Sequence, residues 1–187
     1  MDIILALYQD KKTVFKFNEI ALLTGETNFS SINQKLNYYV HTKKLQNPRR
    51  GIYTKPEYNP EELACKIYVP SYISLEYVLQ RAGIIFQFDS SITSVSYLSR
   101  RIEVDEQAYQ FRRIKEDILI NTRGINRQNN AINIATPERA FLDILYLDCE
   151  YYFDNLNPLD KEMIYKLLPF YQSKALTKRV NNLLKND

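Results

Sequence analysis

The stretch NFSSINQKLNYYVHTKKLQNPRRGIYTK, residues 28–55, decides how the front of this chain folds. Its first half predicts an amphipathic helix, because Ile32, Leu36 and Val40 share one face at the helical repeat of about 100° per residue. Its second half predicts a short basic hairpin that turns at Gly51. A helix that runs into an arginine-rich hairpin suggests a surface that binds something acidic.

The face of this helix opposite the apolar residues is filled against helix propensity. A solvated helix face usually carries Lys and Glu, which favour helix more than Asn, Ser or Tyr do. Asn and Gln present a donor and an acceptor together, which suits adenine in the major groove, while hydroxyl groups bind phosphates or bases. The alternative is an ordinary surface in a chain biased toward Asn and Tyr. The helix residues predicted to contact DNA are Ser30, Ser31, Gln34, Asn37, Tyr38 and His41.

Positive charge is concentrated beside this helix. Up to Tyr58 the chain has nine Lys and Arg against five Asp and Glu, although the net charge of the whole chain is only +3. We predict that Arg49 and Arg50, at the tip of the hairpin, contact the DNA backbone or an adjacent minor groove. Lys43 and Lys44, at the end of the helix, are predicted to add phosphate contacts.

The segments before residue 58 predict the order helix, strand, helix, turn, helix, hairpin. That is the order of a winged helix-turn-helix. Asn18 is the predicted N-cap of the second helix and Gly25 its end, and KKLQ and GIYTK are the predicted hairpin strands. The segment KPEYNPEE contains two prolines and marks a boundary. We therefore predict a winged helix-turn-helix domain over residues 1–58.

The rest of the chain, residues 59–187, predicts a second domain in which helices and strands are mixed. The whole chain is accordingly of the α+β class. TPERAFLDILYL predicts the strongest helix, with Thr136 as cap and Pro137 at its first position. The strands are predicted at residues 91–98, 101–104, 107–114, 117–121 and 131–135.

Composition favours an ordinary globular protein, with 45% hydrophobic and 25% charged residues. Cys65 and Cys149 have no ligand neighbours at metal-binding spacing, so we predict two buried thiols in a reducing compartment. The sequence has no leader pattern and no apolar run of about 18 residues, which favours a cytoplasmic protein without membrane contact. We predict no metal and no cofactor.

The sequence has few features of an enzyme, and we predict that the protein is not one. There are only four glycines and one histidine in the chain, with no glycine-rich phosphate loop. One enzymatic alternative stays open, a metal-dependent nuclease. It would use Glu103, Asp105 and Glu106 together with residues 115–117.

Three segments resemble the AbiEi-type antitoxins of type IV toxin–antitoxin systems. They are PSYISLEYVLQRAGII (70–85), QAYQFRRI (107–114) and INIATPERAFLDILYL (132–147). The resemblance implies a DNA-binding repressor of its own operon, active in abortive infection. It also implies a nucleotidyltransferase-like toxin that the protein counteracts without forming a stable complex. Further DNA contacts implied for the second domain are Arg100, Arg101, Arg112, Arg113 and Lys115.

The TPERAFLD motif also has a purely structural interpretation. Arg139 and Asp143 lie four residues apart, so they are able to pair on the helix. We predict that this motif stabilises the fold. A further alternative for the second domain is that of a regulatory adaptor, a module that binds a protein partner.

Overall fold

A computed structural model describes residues 2–185 of the chain. The chain divides into two compact units, one ending at Ile67 and the other beginning at Tyr68. Helices and strands are mixed along it, so the predicted α+β class is confirmed.

The first unit combines helices with a small antiparallel sheet. The helices are α1 (Ile3–Gln9), α2 (Phe17–Thr24), α3 (Phe29–His41) and α4 (Pro60–Ile67), and the strands are β1 (Val14–Lys16), β2 (Gln46–Arg49) and β3 (Ile52–Thr54). The sheet order is β1-β3-β2. Its core consists of Ile3, Leu7, Phe15, Ile20, Ile32, Leu36, Leu45 and Tyr53.

Two elements of the first unit begin elsewhere than predicted. Helix α2 begins at Phe17, because the Glu19 carboxylate accepts a hydrogen bond of 2.7 Å from the Lys16 backbone N–H. Lys16 is therefore the N-cap, two residues before the predicted Asn18. Asn18 therefore lies inside the helix. Strand β2 begins only at Gln46, because the two lysines before it complete the end of α3.

Helix α4 belongs with the first unit, whereas the predicted boundary at residue 58 lies just before this helix. The buried Glu62 carboxylate accepts hydrogen bonds from the backbone N–H groups of Thr13, at 2.8 Å, and Val14, at 3.1 Å. One turn later Lys66 pairs with Glu19. These contacts join residues 47 to 49 positions apart in the sequence, which local patterning does not reveal.

The second unit is built on a six-stranded mixed sheet of order β6-β7-β5-β4-β9-β8. The strands are β4 (Ser71–Ile73), β5 (Ile92–Ser96), β6 (Arg100–Val104), β7 (Gln107–Arg113), β8 (Ile125–Arg127) and β9 (Asn133–Ala135). The helices are α5 (Glu76–Arg81), α6 (Glu116–Leu119), α7 (Pro137–Leu147), α8 (Lys161–Leu167) and α9 (Lys174–Lys185). Strands β5 and β7 run parallel, as do β4 and β9, while the other pairs are antiparallel.

Helix α7 is the central helix of the second unit, where it contacts α5, α8, α9 and β9. It begins as predicted, with the Thr136 hydroxyl accepting a hydrogen bond from the Arg139 N–H and Pro137 in the first turn. Residues 138–145 are all buried.

The predicted strand at residues 117–121 is wrong, since this segment contains the short helix α6. Its apolar run fits either structure by periodicity, and Ile118 and Leu119 are buried from the helix instead. The three-residue strands β4 and β8 were not predicted.

The prediction for the cysteines is half wrong, because Cys65 is buried but Cys149 is exposed, with its sulfur 3.0 Å from a guanidinium nitrogen of Arg179.

Candidate nucleic-acid interface

Helix α3 is fixed in the first unit by its two ends and its apolar face. At its start the Asn28 carboxamide accepts a hydrogen bond of 3.1 Å from the Ser31 N–H. Ile32 and Leu36 are completely buried in the core. Tyr39 donates a hydrogen bond of 2.8 Å to the Asp2 carboxylate from the flank of the helix. The helix is therefore a rigid support for the side chains on its other face.

The opposite face of α3 is exposed and polar, as the sequence predicts. Ser30, Gln34, Asn37, Tyr38 and His41 are all exposed, whereas Ser31 is half-buried at the first turn. Within residues 2–185 the side chains of Gln34, Asn37 and His41 have no hydrogen-bond partner. Their donors and acceptors are thus available to an external ligand.

The C-terminus of α3 ends in a Schellman motif with a lysine in the unusual position. The Lys44 N–H donates to the Tyr39 carbonyl at 2.9 Å, and the Lys43 N–H donates to the Val40 carbonyl at 3.0 Å. Lys43 occupies the left-handed region at φ +58°, where glycine is the usual residue. Both lysines are exposed at this corner. A charged side chain therefore occupies a position at which the backbone conformation favours glycine.

The hairpin of β2 and β3 lies directly after this corner. Its two-residue turn is Arg50–Gly51, and Gly51 adopts φ +77°. The Asn47 side-chain amide donates to the Arg49 carbonyl at 2.9 Å and to the Ile52 carbonyl at 2.7 Å, bridging the two strands. Arg50 is exposed at the tip and Arg49 is half-buried. The role of Asn47 in joining the two strands was not predicted, although an Asn before a Pro-Arg-Arg-Gly segment is a recognisable turn signal.

The basic residues predicted in the second unit do not form one surface. In the β6–β7 register Arg100 is opposite Phe111, and Arg101 is opposite Gln110. Because successive side chains of a strand alternate between faces, Arg100 and Arg113 lie on one face of the sheet. Arg101 and Arg112 lie on the other.

Arg112 already has a partner inside the second unit. Its two terminal nitrogens lie 2.6 and 2.7 Å from the two carboxylate oxygens of Asp148, a bidentate ion pair. The hydrogen bonds from Arg112 lower the pKa of Asp148. Next to this pair, burial and the carboxylates of Glu76 and Asp148 raise the pKa of Tyr151 to about 12. We assign Arg112 to joining β7 to the end of α7. Lys115 is exposed, and its ammonium nitrogen lies 2.9 Å from the exposed carboxylate of Asp117.

The TPERAFLD motif forms a buried polar network in the second unit. Arg139 and Asp143 are both completely buried, with Nε 3.3 Å from the carboxylate. The other guanidinium nitrogens donate to the Arg123 and Ile118 carbonyls and to the Tyr72 hydroxyl. The Asp143 carboxylate also accepts hydrogen bonds from the hydroxyl groups of Tyr72, Ser74 and Tyr171.

The geometry of this network indicates that it stabilises the fold. Burial raises the pKa of Tyr72 and Tyr171 well above the usual range of a phenol, so both remain protonated donors. No part of the ion pair reaches solvent. The predicted pairing of Arg139 with Asp143 is thereby observed.

The acidic residues considered for a nuclease lie on the β6–β7 hairpin and in helix α6. Asp105 and Glu106 form the two-residue turn of the β6–β7 hairpin, with φ of +49° and +65°. Glu103 is exposed on the edge strand β6. Within residues 2–185 no group of three or more His, Cys, Asp or Glu side chains is placed to hold a metal ion.

No protein-family model matches this sequence, and no curated protein matches it either. None of the helices in the described part of the chain combines the length and the apolar character that crossing a bilayer requires.

Proposed function

We propose that the first unit is a winged helix-turn-helix that binds double-stranded DNA. In this interpretation α2 and α3 are the helix-turn-helix, α3 is the recognition helix and the β2–β3 hairpin is the wing. The observation that carries the proposal is the exposed polar face of α3, which lies in one unit with the lysine corner and the arginine tip of the hairpin.

The chemistry of this surface suits DNA better than it suits other acidic ligands. The amides of Gln34 and Asn37 can each donate and accept, as the edge of adenine requires in the major groove. The charges of Lys43, Lys44 and Arg50 are exposed, where they would contact phosphates.

The proposal extends to the biological role implied by the AbiEi-type resemblance. The protein would repress its own promoter as the antitoxin of a type IV toxin–antitoxin system in abortive infection. It would counteract a nucleotidyltransferase-like toxin without forming a stable complex. It would act in the cytoplasm and need no cofactor. Arg100 and Arg113, which share one face of the sheet, would supply any DNA contacts of the second unit.

A mobility-shift assay on the DNA upstream of its own gene tests this function. We expect a discrete shift of that fragment and none of a scrambled fragment of equal length, at physiological salt. The affinity should fall steeply as salt rises, because phosphate contacts release counterions. Equal binding to both fragments would contradict the repressor role.

Lys43→Gly should stabilise the fold but weaken DNA binding. Glycine at φ +58° relieves a left-handed conformation, so we expect the free energy of unfolding to rise by roughly 0.5–1 kcal/mol. Loss of one phosphate contact should weaken all DNA sequences alike and reduce the slope of log K against log salt by about 1. Urea unfolding and binding titrations at several salt concentrations measure the two effects. Lys44→Ala is the control, with weaker binding but no gain in stability.

Asn47→Ala should weaken DNA binding although it removes no charge. The variant loses both hydrogen bonds that bridge the hairpin, each worth about 1 kcal/mol. The arginine tip should then be less well positioned, and affinity for the upstream DNA should fall by about threefold to tenfold. Unchanged affinity in a variant whose hairpin amides exchange faster with deuterium would show that the hairpin does not contact DNA.

A second function, that of an adaptor for a protein partner, is favoured by one feature of the second unit. Phe86, Phe88 and Tyr152 are large aromatic side chains that are mostly exposed. Exposed aromatic side chains are common anchors of protein interfaces. Co-expression with the product of the neighbouring gene tests this function. A stable complex that Phe86→Ala and Phe88→Ala abolish would support the adaptor role over the antitoxin role proposed above.

A further inference from the structure

The first turn of α3 exposes a phenylalanine beside the polar face. Phe29 is the first residue of the helix and is 61% exposed. On one side its ring contacts Phe17, with centroids 5.9 Å apart. On the other side it lines a shallow apolar hollow whose remaining wall comes mainly from Ala21, Leu22, Gly25 and Thr27.

This hollow has a free apolar surface that the core does not require. Leu22 is 84% exposed and faces solvent at its rim. Ala21, Gly25 and Thr27 are small, so they leave open space beside the Phe29 ring. The contact with Phe17 limits the rotation of the Phe29 ring, which lowers the side-chain entropy lost when a ligand packs against it.

The charges around the hollow favour a base edge over a phosphate. Glu26 lines the hollow and would repel a phosphate group. Its carboxylate is paired with Lys35, at 3.3 Å, which makes the rim nearly neutral. A neutral apolar site at the start of a helix suits an uncharged apolar group on the ligand.

Major-groove DNA offers one such group, the 5-methyl group of thymine. The N-terminal residues of a recognition helix are those that contact base edges. Phe29 and Ser30 both lie in the first turn of α3, with side chains about 100° apart around the helix axis. In a recognition helix this turn lies closest to the bases, so Phe29 would approach a base pair next to those that Ser30 contacts. The Asn and Gln side chains further along would contact neighbouring adenines, the partners of thymine.

We propose that Phe29, with the hollow beside it, recognises the methyl group of a thymine in the operator. This inference rests on the proposed DNA-binding function and adds a specificity-determining residue to it. It also gives the protein a preference between thymine and uracil, which pair identically but differ in this methyl group.

The test uses the full-length protein and two versions of the upstream fragment, one with thymine and one with uracil in its place. Burial of one methyl group is worth about a factor of four in affinity. We expect wild type to bind the uracil fragment about fourfold more weakly for each methyl group contacted. Phe29→Ala should bind the thymine fragment more weakly by a similar factor and should not distinguish the two fragments.

Two further variants make the result decisive. Phe29→Leu keeps an apolar side chain and should retain part of the thymine preference, which guards against a folding defect in Phe29→Ala. Phe88→Ala removes an 86%-exposed phenylalanine from the second unit and should bind like wild type.

The outcomes separate this inference from the function on which it rests. Specific binding by wild type with no difference between thymine and uracil overturns the thymine contact and leaves the DNA-binding function intact. A thymine preference that persists in Phe29→Ala overturns the role of Phe29. If wild type is an oligomer in sedimentation and Phe29→Ala is a monomer that binds both fragments equally weakly, the hollow belongs to a contact with a second copy of the chain and the thymine contact is overturned. If wild type shows no specific binding, the DNA-binding function fails and the inference with it.

Discussion

Arg139→Met should lower the free energy of unfolding of the second unit by about 3–5 kcal/mol, since it leaves the buried Asp143 carboxylate without its charge partner. Methionine fills much of the same volume, so the loss measures the charge more than a cavity. Three hydroxyl groups would still donate to the carboxylate, but no cation would remain among its partners. We expect a folded but strongly destabilised variant.

The loss of unfolding free energy in Arg139→Met should depend on pH. Burial raises the pKa of Asp143 above its ordinary value of 3.8, and Arg139 opposes this shift. Without Arg139 the pKa in the folded state rises further, so the folded variant holds a proton that the unfolded chain releases. Acidification through that folded-state pKa should therefore restore part of the lost stability. Urea unfolding at pH 5 and pH 7.5, followed by circular dichroism, should give a smaller deficit at the lower pH.

Two matched variants test whether the charge is responsible. The double variant Arg139→Met/Asp143→Leu removes both charges and should recover much of the stability, because well-packed apolar residues often replace a buried ion pair at little cost. Tyr171→Phe removes the hydroxyl group that donates to Asp143 at 2.6 Å and to the Arg139 carbonyl at 3.4 Å, and should lose about 1–3 kcal/mol. A deficit that is equal at both pH values, or unchanged in the double variant, would contradict this account.

Gln34→Ala and Asn37→Ala should each weaken binding to the specific site by about 1–3 kcal/mol and relax the base preference there. Both side chains are exposed on the same face of α3 and have no internal partner among residues 2–185, so neither change should alter stability by more than about 0.5 kcal/mol. Arg50→Ala, by contrast, should weaken binding to the upstream site and to its single-base variants by similar factors, because a phosphate contact carries no sequence information.

Competition titrations with single-base variants of the upstream site measure these effects. Asn126→Ala, a change at an exposed asparagine of the second unit, provides the control and should bind like wild type. Equal binding by wild type and the Gln34, Asn37 and Arg50 variants would reject the assignment of the reading surface to α3 and the hairpin.

The sequence predicts α3 and α7 well because each has an apolar face at helical spacing and a capping residue. Asn28 and Thr136 both cap the helices that follow them. Short segments carry too little periodicity to decide between structures. The run at residues 117–121 was therefore assigned to a strand, while β4 and β8, with three residues each, were missed.

The exposed face of α3 follows from the sequence, because one buried stripe fixes the opposite face of a helix. Whether each arginine already has a partner inside the protein does not follow from the sequence. Asp148 lies 36 residues from Arg112, and only the folded sheet brings the two together. The left-handed conformation of Lys43 could likewise not be predicted from the sequence, because a lysine does not indicate a backbone position that favours glycine.

Strand β6 forms one edge of the six-stranded sheet, and its unpaired backbone groups are a template on which another chain could add a strand. Arg100, Arg101 and Glu103 put exposed charges along this edge, which opposes such aggregation. Neutral substitutions at the two arginines should therefore lower solubility, whatever their effect on DNA. Charge reversal to glutamate would keep the edge charged and so still protect it from self-association.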